Sequence, residues 1–185
     1  TFYDSFKAND SLRRDWSIAT FEIKRDAQFT SIPRTTGKWG VGKFRRYLMN
    51  PLSSNNNYDA MNWPVIRYAE VLLMLAEAIN EISMNGGTLP AGANMSLAYE
   101  CVNQVRRRAM PFSDADEIEI SGSGGDEFRD EIRDERSWEL CFERVRKQDL
   151  IRWGIIGETL AQTYDAIVQQ GYTQEWWFFQ ATNWE

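Results

Sequence analysis

The chain has 185 residues, 43% hydrophobic and 26% charged, with a net charge of -6 and no histidine. That length suffices for one substantial core, but no apolar run reaches the roughly 18 residues of a membrane-spanning helix. The acidic balance argues against a nucleic-acid partner, and the lack of imidazole removes His-based triads and most zinc or non-haem iron sites.

Residues 1–62 carry little helical periodicity and read as an irregular lead-in. Phe21-Glu22-Ile23-Lys24 alternates like a short strand, and Gln28-Phe29-Thr30-Ser31-Ile32 offers another. Pro33 and the stretch from Gly37 to Gly42 interrupt regular structure. A short element at Phe44-Arg45-Arg46-Tyr47-Leu48 and a polar loop at Ser53-Ser54-Asn55-Asn56-Asn57 follow. So long a lead-in is expected to pack against other chain.

A helix is predicted over 65–83. Val65, Tyr68, Ala69, Leu72, Leu75, Ala76 and Ile79 are expected to face the core, and Arg67, Glu70, Glu77 and Glu81 to oppose them. Pro64 suits its entry, and Asn85-Gly86-Gly87 its end. A second helix, 95–110, carries Ala98, Val102, Val105 and Ala109 on one stripe, with Asn94 as N-cap. Two such helices joined by a compact loop pack as an antiparallel hairpin. The small residues Ala69, Ala76, Ala98 and Ala109 allow close approach. Arg106, Arg107 and Arg108 point about 100° apart on a helix and do not make one basic patch.

After Pro111 a Ser/Gly/Asp loop runs to Asp126, with Ile118 and Ile120 able to reach the core. A third helix is predicted over 127–153 and a fourth over 155–170, the latter with Ile156, Leu160, Tyr164 and Ile167 on one face. The end of the chain, with Trp176-Trp177-Phe178-Phe179 and Trp184, is too apolar for a solvated tail. The divisions are thus a lead-in at 1–62, a helical body at 63–170 and an aromatic tail at 171–185, all within one unit. Cys101 and Cys141 sit among apolar neighbours and read as buried thiols, although spacing alone cannot exclude a disulfide.

On the third helix Phe128, Ile132, Glu135, Glu139, Phe142, Glu143, Arg146, Leu150 and Trp153 share one face. Three glutamates on an apolar stripe need partners, because burying an unpaired carboxylate is costly. A helical di-iron site would require Glu-x-x-His pairs, and no histidine exists. A glycosidase would need two carboxylates facing a cleft, which one helix does not establish. Pairing with Arg67, Arg106, Arg136 or Arg146 is the expected arrangement, with no bound metal, no cofactor and no catalytic residue.

The run Ile132-x-x-Glu135-Arg136-x-x-Glu139-Leu140-x-Phe142-Glu143-x-x-x-Arg146-x-x-Asp149-Leu150-x-x-Trp153 resembles the signature of the SusD/RagB family. Lys43-Phe44-Arg45-Arg46-Tyr47-Leu48 and Asn62-Trp63-Pro64-x-Ile66-Arg67-Tyr68-Ala69-Glu70 are similar to its lead-in. Arg144 departs from the family, which usually has Gly or another small residue there. The similarity covers about residues 40–154, and the chain resembles the C-terminal half of the family.

The resemblance implies a mainly α fold: a tetratricopeptide-like hairpin, long helices and a loop-rich N-terminal segment. It also implies capture of extracellular nutrients, glycans foremost, at the cell surface for a SusC-like TonB-dependent outer-membrane transporter. Membrane attachment would come only through a lipid anchor outside this chain. Sugar capture needs flat aromatic faces with amide and charged groups beside them. In the lead-in Trp39, Tyr47, Asn57 and Tyr58 are the candidate ligand contacts. Each aromatic is also a candidate packing anchor. The alternatives are a helical interaction scaffold without its own ligand, and a carboxylate-based glycan hydrolase.

Overall fold

The computed structural model describes residues 2–23, 31–35, 38–45 and 64–169. Tyr47, Asn57, Tyr58 and the aromatic stretch after Gly171 lie outside these residues. A 3-10 turn, Phe2–Ser5, leads into α1 (Ser11–Ser17), then β1 (Ile18–Ala19), β2 (Phe21–Ile23), β3 (Ser31–Pro33) and β4 (Gly40–Val41). The helical body follows: α2 (Tyr68–Met84), α3 (Met95–Ala109), α4 (Ala115–Ile118), α5 (Asp126–Glu139), α6 (Arg146–Arg152) and α7 (Ile156–Gln169). The fold is mainly helical, as the sequence implies. Two compact units divide it, Thr1–Glu143 and Arg144–Glu185.

In the lead-in, β2 pairs antiparallel with β3, placing Glu22 opposite Ile32. The glycine-rich stretch expected to break structure instead supplies β4, which pairs with β1 through Ile18 opposite Val41. Gly42 follows at close quarters. A Cβ there would lie 2.9 Å from both the Ala19 nitrogen and the Trp16 carbonyl, so only glycine fits. Helix α1 is absent from the sequence reading. Its buried residues are Arg13 and Ser17, not an apolar stripe, so hydropathy carries no trace of it.

Helix α2 begins at Tyr68, three residues later than expected, because Arg67 is extended at the N-cap position. The buried stripe is also rotated from the predicted one. Ala69, Leu72, Leu73, Ala76, Ile79 and Asn80 face inward, whereas Val65, Tyr68 and Leu75 are exposed, Tyr68 by 71%. The inward face packs on Ala98, Tyr99, Cys101, Val102 and Val105 of α3 and on Phe128 and Ile132 of α5. Asn94 caps α3, accepting a hydrogen bond from the Leu97 amide at 2.9 Å.

Helix directions follow from contacts at the two ends of the bundle. Asn80, near the end of α2, hydrogen-bonds Gly125, and Tyr99, near the start of α3, accepts from the Gly124 amide. At the opposite end Arg67, before α2, and Arg108, at the end of α3, both reach Glu139. The hairpin is therefore antiparallel, and α5 runs alongside α3 in the same direction. Two buried asparagines fix the loop between α3 and α5. Asn80 exchanges two hydrogen bonds with the Gly125 backbone at 2.9 and 3.0 Å, and Asn103 does the same with Ile120 at 2.9 Å. Ile118 is buried with Ala109 and Met110, and Ile120 packs on the main core.

The third helix is not continuous over 127–153. It stops at Glu139, and Phe142 and Arg144 take left-handed conformations (φ 64° and 66°) before α6 begins. The predicted stripe therefore holds only as far as Glu139. The freed carbonyls are met by distant cations: Lys43 Nζ donates to the Glu139 and Cys141 carbonyls, and Arg67 donates to that of Glu139 at 3.0 Å. Cations suit the negative end of a helix, but such partners lie far outside any sequence window. Arg144 takes a left-handed conformation, which favours glycine, at the position where the resemblance expects Gly or another small residue.

A second cluster buries Phe6, Ile18, Trp138 and Cys141, with Tyr3 and Trp39 half-buried against it. The lead-in thus packs on the outer face of α5. In the second unit, Asp149 accepts a 3.0 Å hydrogen bond from Arg152, and Arg146 lies over the Trp153 ring. On α7 the expected stripe is only partly covered: Ile156 and Ile167 are half-buried, while Leu160 and Tyr164 are exposed.

Candidate functional site

Glu135, Glu139 and Glu143 are all buried, as expected, although only Glu135 and Glu139 lie on α5 and Glu143 sits in the turn beyond it. Glu135 accepts from Arg13 Nη1 at 2.6 Å on one oxygen and from Arg106 Nε at 3.0 Å on the other. Arg13 also grips Asp10, and Arg106 extends to Glu131, which in turn meets Lys7. Glu139 receives Arg67 Nη2 at 3.0 Å, Arg13 Nη1 at 3.2 Å and Arg108. Glu143 is held by Arg67 in a fork, at 2.7 and 2.9 Å, and by Lys43.

Of the four arginines expected as partners, Arg67 and Arg106 serve. Arg136 is buried as well. Arg13, Lys43 and Arg108 are the partners that sequence reasoning missed. Three buried glutamates demand cations, but nothing local selects these three among 21 lysines and arginines. The triple arginine splays as its periodicity requires. Arg106 turns to Glu131 and Glu135, Arg107 to Glu100 and Glu119, and Arg108 to Glu139.

Every oxygen of the three glutamates thus accepts from a cation. Burial would raise the Glu143 carboxyl, but hydrogen bonds from Arg67 and Lys43 outweigh it and hold that group below the usual carboxylate range. Burial raises Asp10 in spite of Arg13. A carboxylate committed in this way holds α1, the start of α2, α3 and α5 together, and it is poorly disposed to shuttle protons or ligate metal. Among the described residues no group of three or more Cys, Asp or Glu is placed to hold a metal ion. Cys101 and Cys141 are free and buried, and burial raises both thiols.

Of the four candidate ligand contacts, only Trp39 falls among the described residues. Its indole donates to the Arg34 carbonyl at 3.0 Å, and its ring lies 4.9 Å from that of Tyr3. It leans on the Phe6–Trp138 cluster, so packing accounts for at least one face.

Two cavities open nearby. One, of about 580 Å3, is polar and lies between α3 and the α4 loop, lined by Ser96, Glu100, Asp116 and Glu119. The other, of about 260 Å3, lies over the ionic network, between Leu12 and Trp16 of α1 and the cations Arg13, Lys43, Arg67 and Arg108, with Glu139 among them.

A mainly helical chain with a hairpin and a loop-rich lead-in is the architecture that the sequence resemblance implies. The family model of the SusD family matches residues 16–183, and the chain belongs to that family. It is 46% identical over 92 residues to SusD-like protein P25 of Formosa agariphila, covering 50% of this chain and 15% of that protein. It is 40% identical over 115 residues to SusD-like protein P2 of the same organism, covering 60% of this chain and 21% of the relative. The crystal structure of a SusD homolog from Bacteroides thetaiotaomicron superposes with a TM-score of 0.64 at 29% identity, over 90% of this chain and 34% of that one. The chain thus spans about a fifth of the curated relatives it matches and a third of the solved structure.

Proposed function

We propose that this chain is the C-terminal part of a cell-surface protein that captures extracellular nutrients, glycans foremost, without chemical turnover. The captured ligand passes to a SusC-like TonB-dependent outer-membrane transporter, and a lipid anchor outside this chain holds the protein at the outer membrane. Membership of the SusD family carries this reading. The ionic network agrees with it, since its carboxylates serve as acceptors for arginine rather than as an acid–base pair. Ligand contact is proposed for Trp39, Tyr47, Asn57 and Tyr58 of the lead-in, where aromatic faces accompany amides.

Affinity electrophoresis of the full-length protein through gels containing different polysaccharides, with a reducing-sugar assay on the same samples, tests the proposal. Retardation without new reducing ends is expected, and release of product would contradict it.

A second reading, a helical scaffold with no ligand of its own, is favoured by the outer face of α2. There Tyr68, Val71 and Met74 are exposed. Co-purification with the transporter but no retardation on any glycan would select it.

A further inference from the structure

We propose that the cavity over Glu139 binds one acidic sugar unit through its oxyanion, a ring carboxylate or a sulfate ester. This rests on the glycan-capture reading and goes beyond it in naming a site and a ligand charge.

Four cations line the cavity against one carboxylate, Glu139. Three are already answered by carboxylates: Arg13 by Asp10 and Glu135, and Lys43 and Arg67 by Glu143. Glu139 itself receives Arg13 and Arg67 before Arg108 is counted. Arg108 is therefore a third guanidinium on one carboxylate. It is 60% exposed and commits one terminal nitrogen to that contact. An oxyanion arriving at Arg108 gains a charge-assisted, fork-shaped partner and leaves Glu139 with two arginines. A cationic ligand or metal ion would find both Glu139 oxygens already accepting from arginines.

Part of the lining is apolar. Trp16 and Leu12 line the cavity and are 47% and 39% exposed, a large aromatic surface left open beside a cation. Arg45 stacks over the Trp16 ring at 4.5 Å and donates to the Gly42 carbonyl at 2.9 Å, which fixes the indole. A pyranose has both surfaces this cavity asks for: a C–H face for the indole and hydroxyls or an oxyanion at its edge. At about 260 Å3 the space falls below the roughly 300–1,000 Å3 of drug-sized sites, so it suits a single unit of a longer chain.

The test is isothermal titration of the full chain with a galacturonate tetrasaccharide, a sulfated carrageenan tetrasaccharide and neutral cellotetraose. It is repeated on Arg108→Gln and Trp16→Ala, with thermal melts to check folding. Arg108→Gln leaves Glu139 paired with Arg13 and Arg67 and is expected to melt near the parent. One or both acidic probes are expected to bind, to weaken at least tenfold in each variant, and to weaken with added salt. The probe that binds identifies carboxylate or sulfate as the group held. Binding of cellotetraose as tight as that of the acidic probes, or acidic binding unchanged in a folded Arg108→Gln, overturns the site and leaves glycan capture standing. No binding of any of the three by the parent overturns the site, and the polysaccharide gels then decide glycan capture separately.

Discussion

Arg13 on α1 and Glu135 on α5 meet at 2.6 Å across 122 residues of chain, both nearly excluded from solvent. The pair joins the lead-in to the helical body through charge, beside the apolar contact of Phe6 and Ile18 with Trp138. Removing Glu135 leaves Arg13 with Asp10 and Glu139, and leaves Arg106 short of a carboxylate in a dry site, which costs more than the pair contributes. Glu135→Ala is expected to lower the unfolding free energy by about 3–5 kcal/mol, and Glu139→Ala by about 3 kcal/mol. Arg13→Ala combined with Glu135→Ala is expected to cost clearly less than the sum of the two single changes. Urea denaturation checks all of these, and strict additivity would dissolve the coupling.

Glu143, Glu131 and Glu81 contribute to the acid limb of stability. Hydrogen bonding from Arg129 holds the Glu81 carboxyl below the ordinary range, and Arg67 with Lys43 does the same for Glu143. A carboxyl lowered on folding contributes stability that is present above its unfolded value, about 4.3. That stability is lost as pH falls through the folded value. Asp10, raised by burial, works in the opposite sense. Its contribution is present below the unfolded value and fades as pH rises through the folded one. Glu143→Gln is therefore expected to be less stable than the parent near neutral pH and to lose less stability between about pH 5 and 2. Denaturation curves across that range decide it, and an unchanged acid slope would refute the assignment.

Asn80 is fully buried, and its amide is matched to both polar groups of Gly125. Asn80→Ala leaves the half-buried Gly125 N–H without its partner, while the Gly125 carbonyl keeps the Arg129 amide at 3.0 Å, and it is expected to cost about 1–3 kcal/mol. Faster hydrogen exchange at the Gly125 amide would accompany it. A protection factor equal to that of the parent would show that the clamp is dispensable.

The left-handed turn at Arg144 makes opposite predictions for two substitutions. Arg144→Gly relieves a conformation that costs an L-residue about 1–2 kcal/mol, partly offset by glycine's freedom in the unfolded chain. It is expected to match or exceed the parent in stability. Arg144→Val places a β-branched residue at φ 66° and is expected to cost about 1–2 kcal/mol. Thermal melts of the two variants in the reverse order would remove the backbone explanation.

The hairpin was legible because its information is local: Asn94 caps α3, Asn85 and Gly86 close α2, and small residues sit where the two helices meet. The burial of Glu135, Glu139 and Glu143 was legible too, as polar positions on an apolar stripe. What closes around them was not. Arg13 lies on a two-turn helix without an amphipathic face, and Lys43 sits in an irregular segment, so only the folded chain brings them to α5. The break after Glu139 escaped for the same reason, since its carbonyl partners are Lys43 and Arg67. Asn80 and Asn103 carried a readable signal, being polar residues within buried stripes, but their loop partners did not. Trp39 was chosen for its ring, and its packing against Tyr3 and the Phe6–Trp138 cluster depends on contacts that no spacing encodes.

Calorimetric titration of the full-length protein with an oligosaccharide panel, with reducing ends counted in the cell before and after, tests non-catalytic glycan capture most directly. A saturable heat for at least one oligosaccharide with an unchanged count of reducing ends is predicted. New reducing ends, or no saturable heat with any member of the panel, would contradict it.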